Sequence, residues 1–433
     1  MYFQNSAVGL YARGCQITDL SGSHGICPWT EPAVKGIEMK ILVICQHYWP
    51  EPFVLPDICE ELVNRGHQVH VVTDVPNYPD GIIYQDYRRR KNREQVRNGV
   101  RITRTFTIGR RKNALFRLLN YFSYPLSSMR FVRKLTEEYD VVLAYQFSPV
   151  IMASAALKYA RRNKKKVLLY SMDLWPASLG VGGIREGSVV YRVFHWLSKK
   201  VYSGADKLVI SSEGFREYMS AEFDIEPSRV EYLPQYADNA FTVDVCPETE
   251  ELNLVFAGNI GVAQSVQTII RAAARLKDHG HIHWHIVGNG SALEECKALA
   301  SRLELQNVHF HGYLRGEQLQ YYYAKADAML MTLIPDPAIS LTLPLKVMSY
   351  MASGKPIIAA VGGAAAKEIR QAQCGYAVPP EDDEALAEAV LSFEKDPEKS
   401  RMGSNAYAYY REHFTKEHFI DRLEKLLLEL AEE

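Results

Sequence analysis

The sequence predicts an α/β protein of two Rossmann-like, doubly wound domains facing each other across a cleft. Three observations lead there. Short apolar runs alternate with amphipathic helical patterns from Lys40 onward. The runs are continuous rather than alternating, which implies strands buried on both faces, hence a parallel sheet covered by helices. The whole pattern restarts at Leu252, and 433 residues have room for two or three units at roughly 100–200 residues each.

Residues 1–38 mix Gly, Ser, Pro and two Cys without helical or strand period, and are read as a leader or non-native extension. The N-terminal unit, 39–235, has strands expected at 40–46, 68–73, 141–145, 166–171 and 207–211, with helices such as Pro56–Arg65 and Pro149–Arg162 between them. Residues 234–250 have the polar, Pro-containing look of a linker. The C-terminal unit, 236–414, has strands expected at 252–257, 282–287, 308–311, 328–332 and 356–360. Its helices are expected near 265–277, 291–303, 316–325 and 364–371. Thr415 then caps a final helix, 415–433, whose Phe419, Leu423, Leu426, Leu427 and Leu430 recur at helical spacing. That helix is expected to pack back on the N-terminal domain.

Composition removes several classes. A hydrophobic content of 47% and a charged content of 23% exclude wholesale disorder. A net charge of −1 argues against a dedicated nucleic-acid binder, so no nucleic acid is expected as partner. The balance hides a basic zone: 80–134 holds 15 Arg or Lys against 3 Asp or Glu. Such a zone attracts phosphates or an anionic membrane surface, or is a solvated face with counter-ions. Seven scattered cysteines without a C-x-x-C fit a reducing compartment and show no zinc or disulfide framework. No apolar stretch reaches the roughly 18 residues of a spanning helix.

Ligands of doubly wound sheets bind outside the carboxyl ends of the strands, at the switch point. The loops after the first and fourth expected strands of each unit are therefore the candidates. After the first strand comes Gln46-His47-Tyr48-Trp49-Pro50-Glu51, with no Gly-x-Gly-x-x-Gly for a dinucleotide. Tyr48 and Trp49 either stack on a sugar or lipid or pack the loop onto the domain. After the fourth comes Asp173-Leu174-Trp175-Pro176. Asp173 can accept from sugar hydroxyls and Trp175 can offer an apolar face; the alternative is a capping Asp beside a buried Trp. In the second unit Gly258-Asn259-Ile260-Gly261-Val262-Ala263-Gln264 enters a helix, and Gly288-Asn289-Gly290 repeats the pattern. Glycines there let the backbone approach an anion at a helix N-terminus. Finally, Pro344 opens a helix with Lys346 in its first turn and Ser349 three residues on. A first-turn Lys opposes the helix dipole unless an anion such as a diphosphate binds there; the alternative is an exposed surface Lys.

Together these residues resemble glycosyltransferase family 4, of the GT-B fold. The resemblance covers roughly 40–431 and rests on Tyr-Trp-Pro-Glu-Pro (48–52), Arg-Gly-His-Gln-Val (65–69), Pro-Asn-Tyr-Pro-Asp-Gly (76–81), Asn-Gly-Val-Arg-Ile-Thr-Arg (98–104), Asp-Leu-Trp-Pro (173–176), Gly-Asn-Ile-Gly-Val-Ala-Gln (258–264) and Ser-Tyr-Met-Ala-Ser-Gly-Lys-Pro (349–356). It is similar to bacterial transferases of O-antigen and capsule assembly, the fucosamine-transferring subgroup among them. The resemblance implies retaining, metal-independent transfer from a nucleotide-diphosphate sugar, with uridine the expected base, to a polyprenyl-linked or glycan acceptor. It implies no cofactor and no metal, the donor on the C-terminal domain and the acceptor on the N-terminal one. It also implies a cytoplasmic protein peripheral on the inner face of the plasma membrane.

Residue by residue, this assigns Asp173, Lys346 and Asn259 to catalysis. Gly258, Gly261, Gln264, Gly288, Asn289, Ser349 and Tyr350 fall to the donor; Tyr48, Trp49, Glu51 and Trp175 to the acceptor side. Arg110, Arg111, Lys112, Phe116, Arg117 and Tyr121, cations interleaved with aromatics, read as a membrane-facing helix; the alternative is a domain-covering helix with its aromatics in the core. The sequence departs from the family where two glutamates usually stand: here Leu341 and Ser349. The usual basic pair is replaced by Asn259 and Gln264. Lys346 is expected to supply the missing diphosphate charge. A catalytically silent partner of another transferase, or a nucleotide-sugar 2-epimerase, are the competing readings.

Overall fold

The structure, a computed structural model, describes residues 37–78, 80–110, 114–181, 183–237 and 251–433. The expected leader through residue 36, Arg111, Lys112 and most of the 234–250 linker lie outside the described residues. The N-terminal domain holds β1 (Lys40–Ile44), β2 (Gln68–Thr73), β3 (Glu94–Arg97), β4 (Val100–Arg104), β5 (Val141–Gln146), β6 (Lys166–Ser171), β7 (Lys207–Ile210) and β8 (Val230–Tyr232). They form one sheet in the order β3-β4-β2-β1-β5-β6-β7-β8. Every pair is parallel except β3 with β4. The central strands β1 and β5 are buried on both faces, with Ile41 beside Val141 and Ile44 beside Ala144.

The C-terminal domain holds β9 (Leu252–Ala257), β10 (Ile282–Val287), β11 (Val308–Gly312), β12 (Ala328–Thr332), β13 (Ile357–Ala360) and β14 (Gly375–Val378). All are parallel, in the order β11-β10-β9-β12-β13-β14. The last helix, Lys416–Glu432, places Phe419, Ile420, Leu423, Leu426, Leu427 and Leu430 in the N-terminal core. Arg422 pairs with Glu231, and Glu424 receives Arg65 and His67 at 2.7 and 2.8 Å. The domains also meet directly: Ser212 Oγ donates to the Leu341 carbonyl at 2.6 Å.

One edge of the C-terminal sheet carries a histidine ladder whose protons can be placed by elimination. Asn253 Oδ1 can only accept, so His285 donates from Nε2 across 3.2 Å. His285 Nδ1 is then an acceptor for His311 Nε2–H at 3.0 Å, and His311 Nδ1 accepts from the Tyr322 hydroxyl at 2.9 Å. The chain closes only with both rings neutral. Burial, with the charge of Lys325 next in weight, depresses His285 from 6.5 to about 3. His309 and His311 are depressed in the same direction, by burial first. The unfolded chain therefore takes up protons first as pH falls. The contribution is complete above pH 6.5 and is lost between there and pH 3. A fully shifted histidine contributes about 1.4 kcal/mol per pH unit over that window. Urea unfolding at pH 7.5 and 5 should show a smaller acid loss in His285→Gln than in the wild type.

Candidate active site

The sheet orders locate the switch points. In the C-terminal domain the winding reverses between β9 and β12, and in the N-terminal domain between β1 and β5. The fourth strand expected from sequence is β6, one strand beyond the N-terminal switch. The loop that stands at the switch is Phe147-Ser148-Pro149 after β5.

A cleft of about 480 Å³ opens between the domains, within the range of small-molecule sites. Arg110, Arg117, Tyr121, Ser148, Asp173, Trp175 and Ser178 line its N-terminal wall; Ala263, Gln264, Leu333, Ile339, Thr342 and Pro344 are among those lining the opposite one. Asp173 is the organised acid of this cleft. Its carboxylate accepts from the hydroxyls of Ser148 and Ser178 and from the Trp175 indole N–H at 3.1 Å. The same indole reaches Ser148 Oγ at 2.9 Å, and Gln146 Nε2 holds the Asp173 carbonyl at 3.0 Å. Three donors on one carboxylate fix its direction toward the cleft.

At the ends of β9 and β10 the two glycine turns press together. Gly258 N–H donates to Val287 O at 2.9 Å and Ile260 N–H to Asn289 O at 2.8 Å. Gly258 and Gly288 have φ of +146° and +147°, a region that side chains rarely adopt. The exposed Asn259 side chain lies over the backbones of Gly261 and Gly290. Asn289 is exposed and turns its Oδ1 back to the Gly290 N–H at 2.8 Å. Lys346 reaches Gly258: a Cβ there would sit 2.9 Å from Nζ. Its ammonium donates to Gln264 Oε1 at 2.6 Å and lies over the Phe256 ring at 3.9 Å. Burial without a carboxylate partner depresses Lys346 from 10.5 to about 7. Gln264 also lines the cleft, so the amide stands between Lys346 and the open space. Ser349 is half-buried one turn further along the same helix, Leu345–Ala352.

Several expectations need correction. Tyr350 is fully buried, and its hydroxyl bridges the N–H and C=O of Ala257, both at 3.0 Å; it braces the end of β9 and cannot meet a ligand. Tyr48 is 1% exposed and packs the loop into the N-terminal core. Trp175 is 1% exposed and orients Asp173 through its N–H, so it presents no sugar-stacking face. Glu51 is buried: Oε1 accepts the N–H groups of Asn77 and Tyr78, both at 2.7 Å, and Oε2 faces His47 Nδ1 at 3.0 Å. Trp49 is half-buried beneath the Arg97 guanidinium, 5.2 Å from its ring. The membrane assignment is also redrawn. Arg110, Arg117 and Tyr121 line the cleft, with Arg110 over the Tyr121 ring at 5.8 Å, and Phe116 is half-buried. On the helix Ala114–Val132 the exposed apolar face is Leu118, Phe122 and Leu126 instead.

One group among the described residues has metal-compatible spacing: ligand atoms of His47, Glu51 and Asp74 lie within 4.8 Å of one another. Glu51 is engaged at both oxygens by donors, and burial followed by Glu51 pushes the Asp74 carboxyl well above its ordinary range. The burial that raises the Asp74 pKa disfavours the ionised form that cation ligation needs.

Known proteins match this architecture. Residues 53–235 match the family described as Glycosyl transferase 4-like domain, and residues 251–396 match Glycosyl transferases group 1. The chain is 25% identical over 253 residues to the probable glycosyltransferase WbjE of Pseudomonas aeruginosa, covering 56% of this chain and 62% of that one. It is 24% identical over 375 residues to the putative colanic acid biosynthesis glycosyl transferase WcaI of Escherichia coli K12, covering 81% and 91%. Among solved structures, sucrose-phosphate synthase from Thermosynechococcus elongatus superposes with a TM-score of 0.71 at 18% identity, over 91% of this chain and 99% of that one. Anabaena Alr3699/HepE in complex with UDP gives 0.68 at 15% identity, over 90% and 100%. The fold and the cleft are those of a GT-B glycosyltransferase. The chain belongs to glycosyltransferase family 4.

Proposed function

We propose that this chain is a retaining, metal-independent transferase that moves a sugar from a UDP-linked donor to a lipid-linked saccharide in bacterial surface polysaccharide synthesis. The observation that carries the reading is the cleft itself, with the Asp173 carboxylate on one wall and the Gln264–Lys346 pair on the other. The diphosphate would displace the Gln264 amide from Lys346 and sit at the Gly258 and Gly288 turns. A fixed cation and backbone N–H groups then stabilise the departing diphosphate where other enzymes use a metal. The names of the relatives and the UDP complex of the structural neighbour support the choice of pathway and base. Thermal-shift titration tests the donor: UDP is expected to raise the melting temperature more than GDP or ADP, in EDTA as well as in Mg²⁺. Stabilisation by UDP only with Mg²⁺ would overturn metal independence, and none by any nucleotide would overturn the donor site.

The acceptor would reach this cleft from a membrane surface. No helix among the described residues is long and apolar enough to cross a membrane. The exposed face of the helix Ala114–Val132 adjoins that of the helix Val189–Gly204, the Phe122 and Phe194 rings lying 6.2 Å apart. Together they expose Leu118, Phe122, Leu126, Val193 and Trp196, Leu126 by 61% and Trp196 by 54%. Arg130, Arg192 and Lys200 are exposed on the same helices, and Lys200 lies over the Trp196 ring at 3.7 Å. Apolar side chains beside cations suit an anionic leaflet. In flotation with vesicles containing anionic lipid, the wild type should rise and Phe122→Ser with Trp196→Ser should stay behind. A wild type left in the soluble fraction would end this part of the proposal.

A further inference from the structure

We infer that Arg110 and Arg117 hold the diphosphate of a lipid-diphosphate-linked acceptor on the N-terminal wall of the cleft. The inference rests on the reading of that wall as the acceptor side. Both arginines line the cleft and are exposed, and Arg110 lies over the Tyr121 ring at 5.8 Å. Neither guanidinium pairs with a carboxylate or donates to a protein group among the described residues. Asp173 is the one carboxylate among the residues lining the cleft, and it takes its donors from Ser148, Ser178 and Trp175. The wall therefore carries two cations whose charge no protein carboxylate balances directly. An arginine fork fits phosphate oxygens two at a time.

The anion that these arginines fit is not the donor's. Under the proposed reading the donor's diphosphate sits at Gly258, Gly288 and Lys346, on the C-terminal domain. Arg110 and Arg117 stand on the N-terminal wall, so they call for a second anion, one that the acceptor carries.

The helix Ala114–Val132 defines the kind of acceptor. Arg117 and Tyr121, one turn apart, share its cleft face. Leu118, Phe122 and Leu126, offset by one residue, are exposed on the neighbouring face. Further in, Tyr121 meets Trp175 edge-on at 5.7 Å, and that indole donates to Asp173 at 3.1 Å. Apolar surface, paired cations and a hydroxyl-binding acid thus follow one another along the wall. A lipid-diphosphate saccharide has the same order of parts: hydrocarbon, diphosphate, sugar. A neutral glycan would bring no anion to the arginines, and a lipid monophosphate would bring half of one.

The test titrates the wild type and an Arg110→Gln, Arg117→Gln double variant with farnesyl diphosphate, farnesyl monophosphate and inorganic diphosphate, with and without saturating UDP. Calorimetry on the wild type should show one farnesyl diphosphate bound per chain, with the same affinity whether UDP is present or not. The monophosphate and inorganic diphosphate should each bind about tenfold more weakly. The double variant should bind farnesyl diphosphate about ten- to a hundredfold more weakly than wild type. Its UDP thermal shift and its melting temperature without ligand should be those of the wild type. Competition between UDP and farnesyl diphosphate would overturn the inference, because both would then occupy the donor site. So would a wild type that binds no farnesyl diphosphate, or a double variant that binds it as wild type does. Loss of the UDP shift in the double variant would give the arginines to the donor. Inorganic diphosphate bound as tightly as the farnesyl ester would give them to a free anion. A wild type with no nucleotide shift would remove the donor reading alone, and the two farnesyl diphosphate affinities would still decide this one.

Discussion

Replacing Lys346 by alanine is expected to weaken UDP binding by about ten- to a hundredfold and to abolish most of the nucleotide's thermal stabilisation. In the wild type, UDP at a hundredfold excess over Kd should add about 2.7 kcal/mol. A hydrogen bond to a charged group contributes about 1.5–3 kcal/mol, which sets the size of the loss. The buried ammonium also gives binding a definite pH signature. Lys346 sits at about 7 with no ligand, so above that pH it is increasingly neutral. An arriving diphosphate favours the charged form and raises the pKa. Binding at pH 8 must then take up a proton, and affinity falls as pH rises from 7, by up to tenfold per unit. Calorimetry in two buffers of different ionisation enthalpy measures the uptake directly. A variant that binds UDP as wild type does, or proton uptake that survives Lys346→Ala, would transfer the role to another group.

Gly288→Ala should be more damaging to the fold than Gly258→Ala. A Cβ on Gly288 would lie 1.8 Å from the Gly258 carbonyl oxygen, with φ at +147°. Backbone cannot give way as a side chain can, so the turns after β9 and β10 must separate. The Gly258 N–H bond to Val287 would be strained with them. A loss of about 3 kcal/mol or more is expected, together with UDP binding. Gly258→Ala makes a useful contrast. Its Cβ would meet the Lys346 side chain, 2.3 Å from Cε, which can swing aside. This variant should melt closer to wild type yet still bind UDP poorly, because the cation has moved. Urea unfolding and UDP titration of the two variants separate backbone clash from misplaced charge. A Gly288→Ala protein melting within a degree of wild type would show that the turns need not touch.

The parallel strands were legible because burial on both faces leaves an unbroken apolar run, as in Val141–Gln146. The polar edge pair was not. Glu94–Arg97 alternates exposed with half-buried positions, and only the Asn98-Gly99 turn, both residues at positive φ, announces the hairpin. Missing β3 and β4 did not change the fold class, but it left the N-terminal strand order unresolved. The glycine turns stood out by their place after the expected strands, and the structure brings the first-turn Lys346 against Gly258. Tyr350 was misread because sequence spacing places it near the donor without saying that its hydroxyl is spent on Ala257. The basic helix was misread for a related reason. Which of Tyr121 and Phe122 faces inward depends on the helix's rotation, set by Asn120 and Tyr124 beneath it.

The return of the helix Lys416–Glu432 to the N-terminal core has a consequence for biosynthesis. The C-terminal domain is nested inside the chain of the other. Six apolar side chains that belong to the N-terminal core leave the ribosome only after every strand of the C-terminal sheet. The domain translated second can thus close its core while the first still waits for its final piece, reversing the usual N-to-C order of maturation. Until then the exposed faces of β5 and β6 are what a nascent-chain chaperone would meet.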